Sequence, residues 1–177
     1  MKTKIKPIWI GIFLLIAIEQ IIKIIIYNNF FDKRFAILPP VLYFEPMFNR
    51  HYSWFNSMLK ISNSKGLHIS VVAIMIILVI LFYRFLNKRV GNVKIINIMF
   101  AFLFSGATCS LIDKVFWDGS LDYIMLKGFF TFDLKDLYID VFIGLMILSL
   151  FIKNDELKQI DDKALLKDFV HYLRKNK

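Results

Sequence analysis

Cysteine is almost missing: Cys109 is the single one in 177 residues, and it sits inside an apolar run. Neither a disulfide framework nor a thiolate metal site can be built from it. Histidine is scarce too, with His51, His68 and His171 in separate segments at no ligand spacing, and the seven glycines form no phosphate-cradling loop. No metal and no other cofactor are therefore expected. Acidic residues are outnumbered, 14 against 23 Lys plus Arg, which gives a net charge of +9. The chain also lacks internal repeats and low-complexity segments.

What is present in excess is apolar residue, 58% of the chain, with a mean hydropathy of +0.59. A hydrocarbon core of about 30 Å needs about 20 apolar residues per helix. Four stretches meet that need, at about 8–27, 67–86, 95–113 and 136–152. Lys2, Lys4 and Lys6 before the first stretch resemble the start of a secretory signal, but the run is too long and has no small-residue cleavage site, so it reads as a retained helix. The basic residues fall on one side if four helices alternate: the N-terminal lysines, then Arg84, Lys88, Arg89 and Lys94, then the Lys- and Arg-rich end. The positive-inside rule places both termini and the middle loop in the cytoplasm. Anionic lipid is then the counterpart of the net charge, and no nucleic acid is needed.

The expected organisation is a four-helix membrane domain over residues 1–153 and a cytoplasmic tail over 154–177. In the tail Leu157, Ile160, Ala164, Leu165, Phe169 and Leu173 recur near helical spacing, as in an amphipathic helix at the interface. In the outer segment after the first span, Phe35–Leu38 and Val41–Phe44 flank Pro39-Pro40, which reads as two strands around a turn.

Ionisable residues inside spans are costly, about 2.5 to 3.5 kcal/mol each on insertion scales, and each needs a reason. Glu19 and Lys23 stand four apart on the first helix, in the favourable order for an ion pair that orients it. The run Ser105-Gly106-Ala107-Thr108-Cys109-Ser110 lets helix backbones approach closely. Packing does not account for Asp113 at the outer end of the third span, nor for Asp136 at the outer start of the fourth. Each has a structural alternative: Asp113 beside Lys114 as an interfacial pair, Asp136 in a helix first turn behind Asp133 as N-cap. Asp140, one turn deeper than Asp136, is a third member of a site or a hydrogen-bonding group facing the bundle. Two carboxylates at one depth support specific chemistry. They share a proton, the ionised one drawing a proton from water while the protonated one polarises a carbonyl, as in aspartic peptidases.

These residues resemble those of the lipoprotein signal peptidases, also called signal peptidase II. There the third helix ends in a small-residue run and Asn-x-x-Asp-Arg, on which Ser110-Leu111-Ile112-Asp113-Lys114 falls. The fourth helix opens with Phe-Asn-x-Ala-Asp, on which Phe132-Asp133-Leu134-Lys135-Asp136 falls. A Val-Val-Asp-Phe segment between them is matched loosely by Ser120-Leu121-Asp122-Tyr123, and Asp-Gln-x-x-Lys on the first helix by Glu19-Gln20-Ile21-Ile22-Lys23. Asn49-Arg50-His51-Tyr52-Ser53-Trp54 is similar to the motif of the first outer loop. The chain departs from the pattern at Glu19, His51, Ser110, Lys114, Asp133 and Lys135.

The resemblance implies a membrane all-α fold: a four-helix bundle with a small extracytoplasmic β-sheet cradle and a short flap helix, for which Leu121–Leu126 is the candidate. It implies an intramembrane aspartic endopeptidase that cuts diacylglyceryl-modified prolipoproteins before the lipidated Cys. Asp113 and Asp136 would be catalytic, Asn49, Arg50, Ser110 and Asp133 would bind substrate, and Glu19 and Lys23 would give structural support. Expected partners are lipidated prolipoproteins and membrane lipids, for a monomer that crosses the bacterial cell membrane several times. The competing reading is a non-catalytic membrane assembly or lipid-binding protein with the same fold.

Overall fold

The computed structural model describes residues 6–50, 65–91, 93–117, 119–151 and 164–175. Helix α1 (Lys6–Ile25) runs into a π-helical turn at Ile26–Phe30, and then come strands β1 (Phe35–Leu38) and β2 (Leu42–Asn49). Helices α2 (Lys65–Val90) and α3 (Lys94–Ile112) follow, and α3 also ends in a π-helical turn, Asp113–Trp117. Strands β3 (Ser120–Leu126) and β4 (Phe130–Phe132) lead into α4 (Leu134–Phe151), and α5 (Leu165–Lys175) is the last element.

Among the described residues three helical stretches are long and apolar enough to cross a membrane: Ile8–Phe30, Lys65–Val90 and Lys94–Trp117. Helix α4 is shorter, 18 residues, and carries Lys135, Asp136 and Asp140 in its first two turns. Large apolar side chains face outward along these helices; Ile10 is 60% exposed, Phe13 69% and Ile74 55%. Apolar surface so continuous has no water-facing rationale, and a bilayer covers it.

Helix α3 is the packing centre, with α1, α2 and α4 all against it. Its small residues make this possible. A Cβ placed on Gly106 would lie 2.6 Å from Ile139 Cδ1 and 3.1 Å from the Lys135 carbonyl oxygen, so only glycine lets α3 and α4 approach this closely. At the end of α3 opposite the sheet, Ile12, Phe85, Ile96, Phe100 and Phe104 form an aromatic-rich core. Helix α5 docks there through Phe169 and Tyr172, and Arg89 pairs with Asp168.

The four strands form one antiparallel sheet in the order β1-β2-β3-β4. Phe35 pairs with Phe44, Phe48 with Leu121, and Ile124 with Phe132. The two strands foreseen around Pro39-Pro40 are present, the second extended to Asn49. The short flap helix expected at Leu121–Leu126 is not: this segment is the interior strand β3, paired on both sides. Cross-strand pairing decides it. Leu121 and Tyr123 are buried against Ile26, while Asp122 between them reaches Asn49 and Lys135 on the other face, as the pleat of a strand requires. Gly119, at φ 139°, lets the chain enter β3; a Cβ there would lie 2.9 Å from the Asn49 carbonyl oxygen. Much of the loop motif read after Asn49, from His51 to Trp54, lies outside the described residues, as does Ile152 at the end of the fourth predicted span.

Candidate active site

The sheet sits over the junction of α1, α3 and α4, and the polar groups of all three meet beneath it. Helix α1 contributes Glu19 and Lys23, both fully buried, with Lys23 Nζ 3.0 Å from Glu19 Oε1. The same ammonium crosses to the other helices. It lies 2.6 Å from Asp113 Oδ2 at the end of α3 and 2.7 Å from Asp133 Oδ2 ahead of α4.

Asp133 and Asp136 start α4 together. Asp136 N–H donates to Asp133 Oδ1 at 3.3 Å, and Asp133 N–H donates to Asp136 Oδ2 at 3.3 Å. That reciprocal pair is a capping box with aspartate at its third position, and the helix N-terminus favours both negative charges. Asp136 is the open member, its side chain 48% exposed, whereas Asp113 and Asp133 are fully buried.

Between these carboxylates stands Lys135. Its Nζ pairs with Asp133 Oδ2 and donates to Ser120 Oγ at 2.6 Å; it lies 3.4 Å from Asp113 Oδ2, 3.6 Å from Asp122 Oδ1 and 3.8 Å from Asp136 Oδ1. Ser120 Oγ in turn lies 3.1 Å from Asp113 Oδ2 and 3.2 Å from Asp133 Oδ2, so its one proton serves either carboxylate. Oxygens of Asp122, Asp133 and Asp136 all fall within 4.8 Å of one another, a spacing that would suit a metal ion. The cation that these oxygens surround here is the lysine ammonium.

Five carboxylates, Glu19, Asp113, Asp122, Asp133 and Asp136, thus face two bridging ammonium groups. A third, Lys114, turns aside to donate to Ser110 Oγ at 2.8 Å. Burial alone would raise the pKa of Asp133, but Lys135 and Lys23 outweigh it and hold that carboxyl at about 2. Burial wins at Asp122, whose pKa is raised in spite of Lys135, with Asp133 adding to the rise. The Tyr123 hydroxyl, pushed up by burial and then by Glu19, stays protonated, donates to Glu19 Oε2 at 3.4 Å and accepts Leu134 N–H at 3.2 Å.

A cavity of about 580 Å³ opens beside this cluster. Asn49, Ser110, Lys114, Ser120, Asp122, Lys135, Asp136 and Asp140 supply its polar lining, and Leu42, Phe130 and Phe132 are among its apolar walls. Of the residues singled out from sequence, Asn49, Ser110, Asp136 and Asp140 reach this cavity, and Asn49 Nδ2 also donates to Asp122 Oδ2 at 3.2 Å. Asp113, Asp133, Glu19 and Lys23 lie behind it in the buried network. Arg50 is exposed in the turn after β2 and is not among the lining residues. Four residues absent from the sequence-based site, Ser120, Asp122, Tyr123 and Lys135, are integral to the cluster. The spacing Asp133-x-Lys135-Asp136 was the available signal for Lys135, because a lysine between two aspartates in the first turn of an apolar helix has few other partners.

Buried carboxylates and ammoniums thus lie between apolar helices under a small sheet, beside an open cavity. Two solved structures, both described as bacterial membrane enzymes determined by the in meso method, share the fold. The one at 2.3 Å resolution has a TM-score of 0.70 and 19% identity, over 92% of this chain and 95% of its own. The other, at 1.9 Å, has a TM-score of 0.69 and 22% identity, over 86% and 97%. No curated protein matches the sequence. The sequence pattern of the family Signal peptidase (SPase) II matches residues 11–152, and the chain belongs to that family. Membership makes it a membrane-embedded bacterial protease of lipoprotein signal-peptide processing.

Proposed function

We propose that this chain is an aspartic endopeptidase that removes the signal peptide of diacylglyceryl-modified prolipoproteins at the bond before the lipidated Cys, with Asp113 and Asp136 as its essential carboxylates. The observation that carries this reading is the convergence of those two side chains, from the ends of different helices, within 4 Å of one ammonium beside a cavity of about 580 Å³. Asp136, open to that cavity, takes the proton of the attacking water. Asp113, buried with Lys23, fixes the other end of the network. No cofactor takes part in this scheme.

The remaining assignments follow from the same geometry. Asn49 and Ser110 on the cavity wall hold the substrate backbone, and Arg50 at the sheet's edge meets the chain outside. Asp133 sets the field that the substrate enters, and Glu19 braces Lys23. The apolar walls and the adjacent lipid take the diacylglyceryl group. We read α4 as a fourth span with its three charges at the outer end, which puts both termini and the α2–α3 loop in the cytoplasm. The domain then spans residues 1–153, and 154–177 forms the cytoplasmic tail of a monomer.

Asp113→Asn and Asp136→Asn should each abolish processing of a lipidated precursor while the protein still folds in detergent. Cleavage retained by either variant refutes the assignment. Loss of expression together with activity would instead favour a structural role for the cluster.

A further inference from the structure

Lys135 is a donor with one proton to spare. An ammonium carries three N–H bonds, and two are taken at short range, by Asp133 Oδ2 and by Ser120 Oγ at 2.6 Å. The remaining contacts, to Asp113 at 3.4 Å, Asp122 at 3.6 Å and Asp136 at 3.8 Å, are longer than the 2.7–3.2 Å of a good N–H···O bond. Lys135 and Asp136 both line the cavity, whereas Asp113 is fully buried behind them. A carbonyl that enters the cavity therefore meets a lysine N–H and the Asp136 carboxylate, not two facing carboxyl groups. The lysine cannot leave without cost, since four carboxylates lie within 4 Å of its nitrogen.

We propose that Lys135 is a catalytic residue of this peptidase, donating its third N–H to the oxygen of the scissile carbonyl and so taking the part that a protonated aspartate plays in a two-carboxyl dyad. The inference rests on the peptidase reading above and deepens it. Water attacks the carbonyl carbon as its proton passes to Asp136; the C–O bond forms, and the carbonyl π pair moves onto the oxygen, where the ammonium holds the negative charge. As that pair returns, the C–N bond breaks and the leaving nitrogen takes the proton from Asp136. The charges balance at each stage, and Asp133 and Asp113 beside the ammonium hold it in place. A preorganised donor aimed at an oxyanion is commonly worth about 10²- to 10³-fold in turnover.

The test is turnover of a synthetic diacylglyceryl precursor by Lys135→Ala, with and without small cations in the buffer. The variant should lose at least about 10²-fold in kcat with KM changed by no more than about threefold, the pattern of a donor that acts only on the transition state. Methylammonium should restore about tenfold or more of the lost rate, and tetramethylammonium, which carries the charge but no N–H, should not. Lys135→Met, closer in volume, serves in the same way should the alanine variant fail to fold. Full turnover in either variant, equal rescue by tetramethylammonium, or failure of both variants to fold would overturn the proposal, leaving Lys135 a plug, a counter-charge or a structural cross-link. Asp113→Asn and Asp136→Asn run in parallel keep the two readings apart, because cleavage surviving there undermines the dyad whatever Lys135 does.

Discussion

Lys23 ties three buried carboxylates together, and Lys23→Met isolates its charge with little loss of volume. The substitution strands three carboxylates that lie 3.0, 2.6 and 2.7 Å from the ammonium, every one of them fully buried. Removing one partner of a buried ion pair costs about 3–5 kcal/mol, because the other charge is left in low dielectric. Two features limit the loss: Lys135 still pairs with Asp133 and lies near Asp113, and the Tyr123 hydroxyl still donates to Glu19 at 3.4 Å. An overall cost of about 3–5 kcal/mol is therefore expected, measured by denaturant unfolding in detergent micelles. Arg89→Ala is the control. Its pair with Asp168 has side chains 24% and 48% exposed, so its loss should stay below about 1 kcal/mol. Glu19→Gln on the Lys23→Met background should recover part of the deficit by removing one stranded charge. A Lys23→Met loss no larger than the control's, with no recovery from Glu19→Gln, would refute the picture of a buried cross-link.

Two further outcomes follow from the same cluster. The Asp133 carboxyl is held at about 2 in the folded chain against about 3.9 when unfolded, so its stabilisation is complete above about pH 4 and lost as pH falls through about 2. Asp133→Asn should flatten the dependence of unfolding free energy on pH across that window, by about 2 kcal/mol; an unchanged acid slope would contradict the ion pairing described. Gly106→Val should cost about 1–3 kcal/mol and reduce turnover as well, because the added carbons meet Ile139 and the Lys135 carbonyl and displace the helix that carries Lys135 and Asp136. Normal stability in that variant would mean that α3 and α4 pack less closely than the structure has them.

Much of this arrangement was legible because it follows from period and cost. The apolar runs marked the helices, the Gly106 region marked the close contact of α3 with α4, and the expense of charge in lipid drew attention to Glu19, Lys23, Asp113 and Asp136. Strand pairing was less accessible. Ser120–Leu126 has no pattern that forbids a short helix, and its strand state is set by partners far earlier in the chain, such as Asn49 for Ser120 and Phe44 for Ile124. The reach of Lys23 to Asp113 and Asp133 was hidden for the same reason, since spacing along α1 reveals only Glu19. The place of Lys135 at the centre of four carboxylates needed α4 to be docked, although its position between Asp133 and Asp136 was a fair warning.

The central claim is that this site hydrolyses one bond of a lipidated precursor. Purified protein incubated with a synthetic diacylglyceryl precursor, followed by mass measurement of the products, tests it most directly. The account predicts two fragments that differ from the substrate by one water and are divided at the residue before the lipidated Cys, with undiminished yield in excess chelator. An intact precursor, or cleavage at another bond, would contradict it.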